Sequence, residues 1–195
     1  VDLTTPTVTV TTLSTNDAQP ALGGTVDDTA ATISVSVDGQ TTAATNNGDG
    51  TWSLADDTLA ALAEGTFDVT VTATDAAGNV GTDATSDELT VDLTAPTAPG
   101  TPDLDAASDS GSASDDDITS NTVLTISGTA EAGSAIAVTS DIDGAVGTTN
   151  ADGSGDWSIT TGTLAEAVHT LTATATDDSG NTSTESTGLS VTIDA

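Results

Sequence analysis

The sequence predicts an all-β chain made of two tandem β-sandwich modules. Three observations carry this expectation: apolar residues that alternate with period two, turn residues at intervals of about 8–12 residues, and an ordered set of blocks that occurs twice. "VDLTTPT" at 1–7 recurs as "VDLTAPT" at 91–97, "NNGDGTWSL" at 46–54 as "NADGSGDWSI" at 150–159, and "VTATDAAGNVGT" at 71–82 as "ATATDDSGNTST" at 173–184. The order is the same both times, so the modules are assigned to residues 1–91 and 92–195.

Each module opens on a proline-bearing segment, with Pro6 in the first and Pro96, Pro99 and Pro102 in the second. Proline fixes φ and keeps such a junction extended. "TVTV" at 7–10 and "TISVSV" at 32–37 alternate as strands do. Asp38-Gly39 then supplies a two-residue hairpin turn. "TLAALAEG" at 58–65 has room for one helical turn at most. In "TFDVTVTATD" Phe67, Val69, Val71 and Ala73 share one face, while Asp68 and three threonines share the other. The matching stretch of the second module turns His169, Leu171, Ala173 and Ala175 inward. Gly78 and Gly180 occupy the positive-φ position of the turns "DAAGN" and "DDSGN". About seven short strands per module make a sandwich, with a small core of Val, Leu, Ile and Ala around Trp52 or Trp157.

The repeat also locates an insertion. The opening blocks are offset by 90, whereas Gly24-Thr25 and Gly128-Thr129 are offset by 104. The second module has therefore gained 14 residues near its start, in "DLDAASDSGSASDDDIT" at 103–119, expected between its first two strands. Leu104 and Ile118 bracket this acidic stretch and are expected to anchor it in the core.

Composition excludes several functions. The chain has 31 acidic residues, no Lys or Arg, no Cys, and a formal charge of −31. A nucleic-acid binder needs cations to displace phosphate counterions, so that class is excluded. An anionic membrane surface repels such a chain, and no apolar run is long enough to insert in a bilayer. No charged and apolar leader opens the sequence, so an export signal is expected elsewhere. Without Cys there are no disulfides or thiol chemistry. Leu, Ile, Val and Phe make up about 18% of residues, a fraction that with this charge borders on the disordered class. The strand pattern argues for folding, and the charge argues that folding is helped by a counterion.

The blocks carry a more specific resemblance. "DLTTPTVTV", "NNGDGTWSLAD" and "GTFDVTVTATDAAGNVGT" in the first module, and "DLTAPT", "ISGTAEAGS", "ADGSGDWSIT" and "HTLTATATDDSGN" in the second, resemble tandem bacterial Ig-like repeats of giant biofilm surface adhesins exported by type I secretion. The resemblance covers nearly the whole chain. It implies immunoglobulin-like sandwiches arranged end to end. It also implies an extracellular, bacterial cell-surface setting and a calcium-stiffened spacer, expected to be monomeric, whose partners are neighbouring repeats of a longer chain.

Catalysis is not expected. His169 is the one histidine, falls on an inward face and is expected to be partly buried; no Lys, Arg or Cys exists to partner it. Three aromatic residues leave little to stack a sugar ring. Metal chemistry is expected to be that of calcium, which takes six to eight oxygen ligands from carboxylates, carbonyls and water. Softer metals find almost no suitable ligands here. In a sandwich the loops at the chain-entry end group Glu131, Asp152 and Asp177 with Asp92 of the entering linker, and Asp2, Asp27 and Asp75 do the same in the first module. Calcium is expected at Asp92 and Asp177, unless Asp75 and Asp177 only cap their own turns. A second calcium loop is expected in the insert at Asp105, Asp109, Asp115 and Asp117, if Ser110-Gly111 turns the chain; a mobile solvated loop is the alternative. Two other functions fit parts of the pattern: a ligand- or glycan-binding adhesion module, and a calcium-independent acidic repeat suited to salty surroundings.

Overall fold

The computed structural model describes residues 2–110, 113 and 115–195. It divides into two compact units, Val1–Leu93 and Thr94–Ala195. Among the described residues both are all-β.

The first unit contains β1 (Leu13–Thr15), β2 (Leu22–Thr25), β3 (Thr32–Val37), β4 (Gln40–Asn46), β5 (Thr51–Leu54), β6 (Gly65–Phe67), β7 (Val69–Thr74), β8 (Val80–Thr82) and β9 (Leu89–Val91). Six strands run in the order β2-β5-β4-β3-β7-β8, and three in the order β1-β9-β6. β4 pairs with β3 over five residues and with β5 only at Thr45 and Asn46. The sheet therefore folds over at β4 and lets β2 and β5 cover the core. Val35, Val71, Trp52 and Leu54 belong to one buried cluster contributed by both sides of this fold. Leu59 and Leu62 plug the cluster from an irregular segment rather than a helical turn.

The turns follow their chemistry. Asp38 and Gly39 both have positive φ (48° and 74°), the requirement of the tight hairpin between β3 and β4. The chain entering the unit lies against β2 and β8. A Cβ on Gly24 would collide with the Thr9 carbonyl, and one on Gly81 with the Pro6 carbonyl. Val8 bridges Val26 antiparallel, after which the chain crosses to the other sheet and β1 pairs parallel with β9. The first strand thus has two halves, one on each layer.

The second unit contains β10 (Asp103–Leu104), β11 (Ile118–Thr119), β12 (Thr125–Thr129), β13 (Ala135–Ser140), β14 (Gly144–Asn150), β15 (Asp156–Thr160), β16 (Val168–Thr176) and β17 (Leu189–Ile193). Its sheets run β10-β12-β15 and β11-β17-β16-β13-β14. β10 pairs antiparallel with β12 and β11 parallel with β17, the same two-halved first strand. The insert lies between these halves, earlier than the gap between the first two full strands.

One anchor of the insert differs from expectation. Leu104 is buried, but Ile118 is 45% exposed and Thr119 is 1% exposed. β11 has only two residues, so its register against β17 decides which one faces in. The pairing buries Thr119, whose hydroxyl donates to the Ser108 carbonyl at 2.6 Å. That carbonyl also accepts from Asn121 Nδ2, and Ser108 Oγ accepts from the Thr125 N–H. The loop is pinned by Leu104 and a polar Ser108–Thr119 clasp. The expected turn at Gly111 falls outside the described residues.

His169 is fully buried rather than partly so. The Ala165 carbonyl accepts from its Nε2, and its Nδ1 lies 2.9 Å from Ser140 Oγ. Both ring nitrogens are engaged, so this residue packs the core and joins β13 to β16.

The two tryptophans are not equivalent. Trp52 Nε1 donates to the Thr9 carbonyl at 2.8 Å, whereas the buried Nε1 of Trp157 has no hydrogen-bond partner among the described residues. An unpaired buried donor has already lost its water, and its removal is nearly free. Trp52→Phe is expected to destabilise the first unit by about 1 kcal/mol more than Trp157→Phe destabilises the second. Urea unfolding followed by circular dichroism checks this; equal losses contradict it.

Candidate functional site

The loops after β2, β4 and β7 lie at one end of the first unit, because Ile33 pairs with both Ala44 and Ala73 at the start of β3. The entering chain reaches the same end. Thr7 and Asp27 exchange two bonds: the Asp27 Oδ1 accepts the Thr7 N–H at 2.8 Å, and the Thr7 carbonyl accepts the Asp27 N–H at 3.1 Å. Asn79 Nδ2 donates to the Asp2 carbonyl. The result is an open cleft of about 250 Å³ lined by Asp2, Asp27, Asp28 and Asp75, with Thr4, Thr5 and Pro6. Asp28 was not among the expected residues; its adjacency to Asp27 was the signal available.

Most of these carboxylates already have work. Asp75 Oδ1 accepts the N–H groups of Ala77 and Asn79, both at 2.8 Å, and its Oδ2 accepts Asn79 Nδ2 at 2.7 Å. Asp177 repeats this with Ser179 and Asn181. Asp152 Oδ1 accepts from Ser154 and Asp156. Both Asp75 and Asp177 therefore cap their own turns. Asp2 Oδ1 accepts from the Thr4 N–H and Asp28 Oδ1 from the Ala30 N–H.

Asp92 is half-buried and belongs to the first unit, where its N–H donates to the Thr15 carbonyl. Asp177 and Glu131 belong to the second. Glu131 is exposed, and its carbonyl closes a turn with the N–H and hydroxyl of Ser134.

In the insert the structure brings Asp109 and Asp117 together. Asp109 is 8% exposed, and its Oδ2 accepts the Asp117 N–H at 3.3 Å. Its Oδ1 is buried with no hydrogen-bond partner among the described residues. Burial raises the Asp117 carboxyl above its ordinary range, and the charges of Asp109 and Asp103 add to this. Asp117 also has a positive φ of 55°. Asp105 is exposed, and its Oδ1 accepts the Ala107 N–H. Asp115 is exposed. Among the described residues no group of three acidic or histidine side chains is close enough to enclose an ion alone.

Residues 7–93 and 95–195 each match the family model of the bacterial Ig-like domain. The chain belongs to the bacterial Ig-like domain family. Its two Ig-like domains share their fold with the fibronectin(III)-like modules of Clostridium thermocellum CbhA, at 14% identity, with 95% of this chain and 93% of that chain covered and a TM-score of 0.54. A Ca²⁺-stabilised adhesin with which an Antarctic bacterium binds ice is 26% identical, over 99% of this chain and 50% of that one, with a TM-score of 0.45. A tetra-tandem repeat from the extending region of a large adhesion protein is 27% identical, over 96% and 49%, with a TM-score of 0.36. This chain thus spans about half of each of those two adhesin structures. A search of curated proteins finds no match.

A few carboxylates of the Ig-like domains are displaced from the ordinary range, some downward and some upward. Asp75 is held below the ordinary range by Asn79, Asp27 by the Thr7 N–H and Asp49 by Thr51. For Asp177 burial pushes upward, but the bonds from Asn181 outweigh it and the net direction is down. Asp56, Asp68 and Asp117 are raised, in each case by burial first and neighbouring carboxylates next. The lowered group favours folding above the ordinary carboxylate range and loses that contribution as pH falls through its lowered values. Ionisation of the raised group costs stability at neutral pH, and this cost is relieved as pH falls through the raised values. In chelator, the melting midpoint is expected to rise on acidification from pH 7 toward the carboxylate range and to fall below about pH 4. Scanning calorimetry checks the sign; a midpoint that falls steadily from pH 7 contradicts it.

Proposed function

We propose that the chain is a spacer segment of a bacterial cell-surface adhesin, outside the cell, and that calcium at its acidic loops sets its rigidity. Its partners are neighbouring Ig-like repeats of the same longer chain. Its role is non-catalytic: the domains carry a distal binding region away from the cell.

The observation that carries the calcium reading is the Oδ1 of Asp109 beside Asp117, buried and without a hydrogen-bond partner among the described residues. Burying an ionised oxygen without a partner is costly, and the chain has no Lys or Arg to supply one. The available donors are all oxygens, the set that suits Ca²⁺ rather than a softer metal. The cleft at Asp2, Asp27, Asp28 and Asp75 offers a second oxygen-rich position. Protein carbonyls and water complete the shell in both places, since carboxylates alone do not. When bound, calcium supplies positive charge. Asp109 and Asp117 then hold the insert closed, and Asp27 ties the entering chain to β2.

The test is a thermal melt of the two-domain chain with Ca²⁺ and with EGTA, paired with small-angle scattering. Calcium is expected to raise the melting midpoint by several degrees, and EGTA to change the maximum dimension. Asp109→Asn is expected to remove part of the calcium-dependent gain. Unchanged midpoint and dimension in EGTA favour an acidic repeat independent of calcium. Specific binding on a glycan array favours an adhesive module.

A further inference from the structure

The two units differ at one step of their final ladder. In the second, β16 runs unbroken, and Thr170 faces Ser190 across β17. In the first, the equivalent strand is interrupted at Asp68, between β6 and β7. The β6–β9 ladder ends at the Phe67–Leu89 pair, and Asp68 and Glu88 are the residues that flank this end on the two chains. Two carboxylates so placed repel, where the second unit has two neutral hydroxyls.

Glu88 is 2% exposed. Its Oε2 accepts the Val69 N–H at 3.0 Å, where the ladder is interrupted. Its Oε1 is buried and has no hydrogen-bond partner among the described residues. Asp68 directly precedes Val69, whose N–H the Glu88 carboxylate holds, and two ionised carboxylates offer each other no proton. Burial pushes the Glu88 carboxyl up, yet Thr85 and the Val69 N–H outweigh burial and keep it ionised. Asp68 is raised first by the partial loss of water around its exposed carboxylate and then by the charge of Glu88, with Asp87 and Asp83 adding to it. The chain has no Lys or Arg to resolve this repulsion.

We propose that Glu88 Oε1 and the Asp68 carboxylate bind a calcium ion at this break in the strand. Two carboxylates, with carbonyls and water filling the remaining positions, make an acceptable shell for a hard divalent ion. The proposal goes beyond the spacer reading and does not rest on the cleft or on the insert, because neither Asp68 nor Glu88 belongs to them.

The experiment is a calorimetric Ca²⁺ titration of the intact, chelator-stripped two-domain chain. Wild type is compared with Glu88→Gln, Asp68→Asn and the double variant Asp27→Asn/Asp75→Asn. Glu88→Gln and Asp68→Asn are each expected to bind one equivalent fewer than wild type. The Asp27/Asp75 variant is expected to retain this equivalent, so failure of the cleft and failure of this site are distinguishable. In EGTA at neutral pH, Asp68→Asn is expected to melt above wild type, and in saturating Ca²⁺ below it. Unchanged stoichiometry in Asp68→Asn overturns the proposal, as does a stabilisation equal with and without Ca²⁺, the signature of a shared proton. Asp68 is exposed, so its variant carries the test even where Glu88→Gln does not fold.

Discussion

A carboxylate accepting a backbone N–H is the interaction on which the rest of this structure depends. With 31 acidic residues and no Lys or Arg, the chain cannot neutralise its side chains by ion pairing among themselves. His169 Nδ1 lies 3.7 Å from Asp143 Oδ2, a contact that is an ion pair only with a protonated imidazole. Amide and hydroxyl donors take over instead. Asp27, Asp75, Asp152 and Asp177 each accept from the backbone within or beside their own loop. These bonds close the turns that set strand length, and they need no partner distant in sequence beyond Thr7 for Asp27. The fold thereby uses its own charge to define its ends.

The same rule explains why some carboxylates are unsettled. A turn at the surface exposes N–H groups to an aspartate, but Asp109 and Glu88 are buried in irregular segments beside short strands. Asp109 and Glu88 each place one oxygen on an N–H and bury the other with no hydrogen-bond partner among the described residues. The unit-specific differences concentrate here: the insert exists only in the second unit, and the Asp68–Glu88 opposition only in the first.

Much of the fold was legible in the sequence, because its signals are local. The Asp38-Gly39 hairpin, the turns at Gly78 and Gly180 and the inward face of Val69, Val71 and Ala73 follow from period two and from φ requirements alone. The grouping of Asp2, Asp27 and Asp75 was readable from the repeat together with the loop geometry of a sandwich. Ile118 was misread as a core anchor because a two-residue strand carries no periodicity, and its register comes from β17, about seventy residues away. Glu88 was missed for a related reason. It directly precedes β9, and its burial goes with the bond from the Val69 N–H across the strand break, a contact that no local pattern signals.

The two-halved first strand has a mechanical consequence. In each unit its second half runs parallel to the last strand, β1 with β9 and β11 with β17. Tension applied through the two ends of a unit pulls these partners along their shared axis in opposite directions. Their hydrogen bonds are then loaded in shear and must break together, rather than one at a time as in an unzipping hairpin. A chain pulled from both ends meets this resistance before either core is exposed.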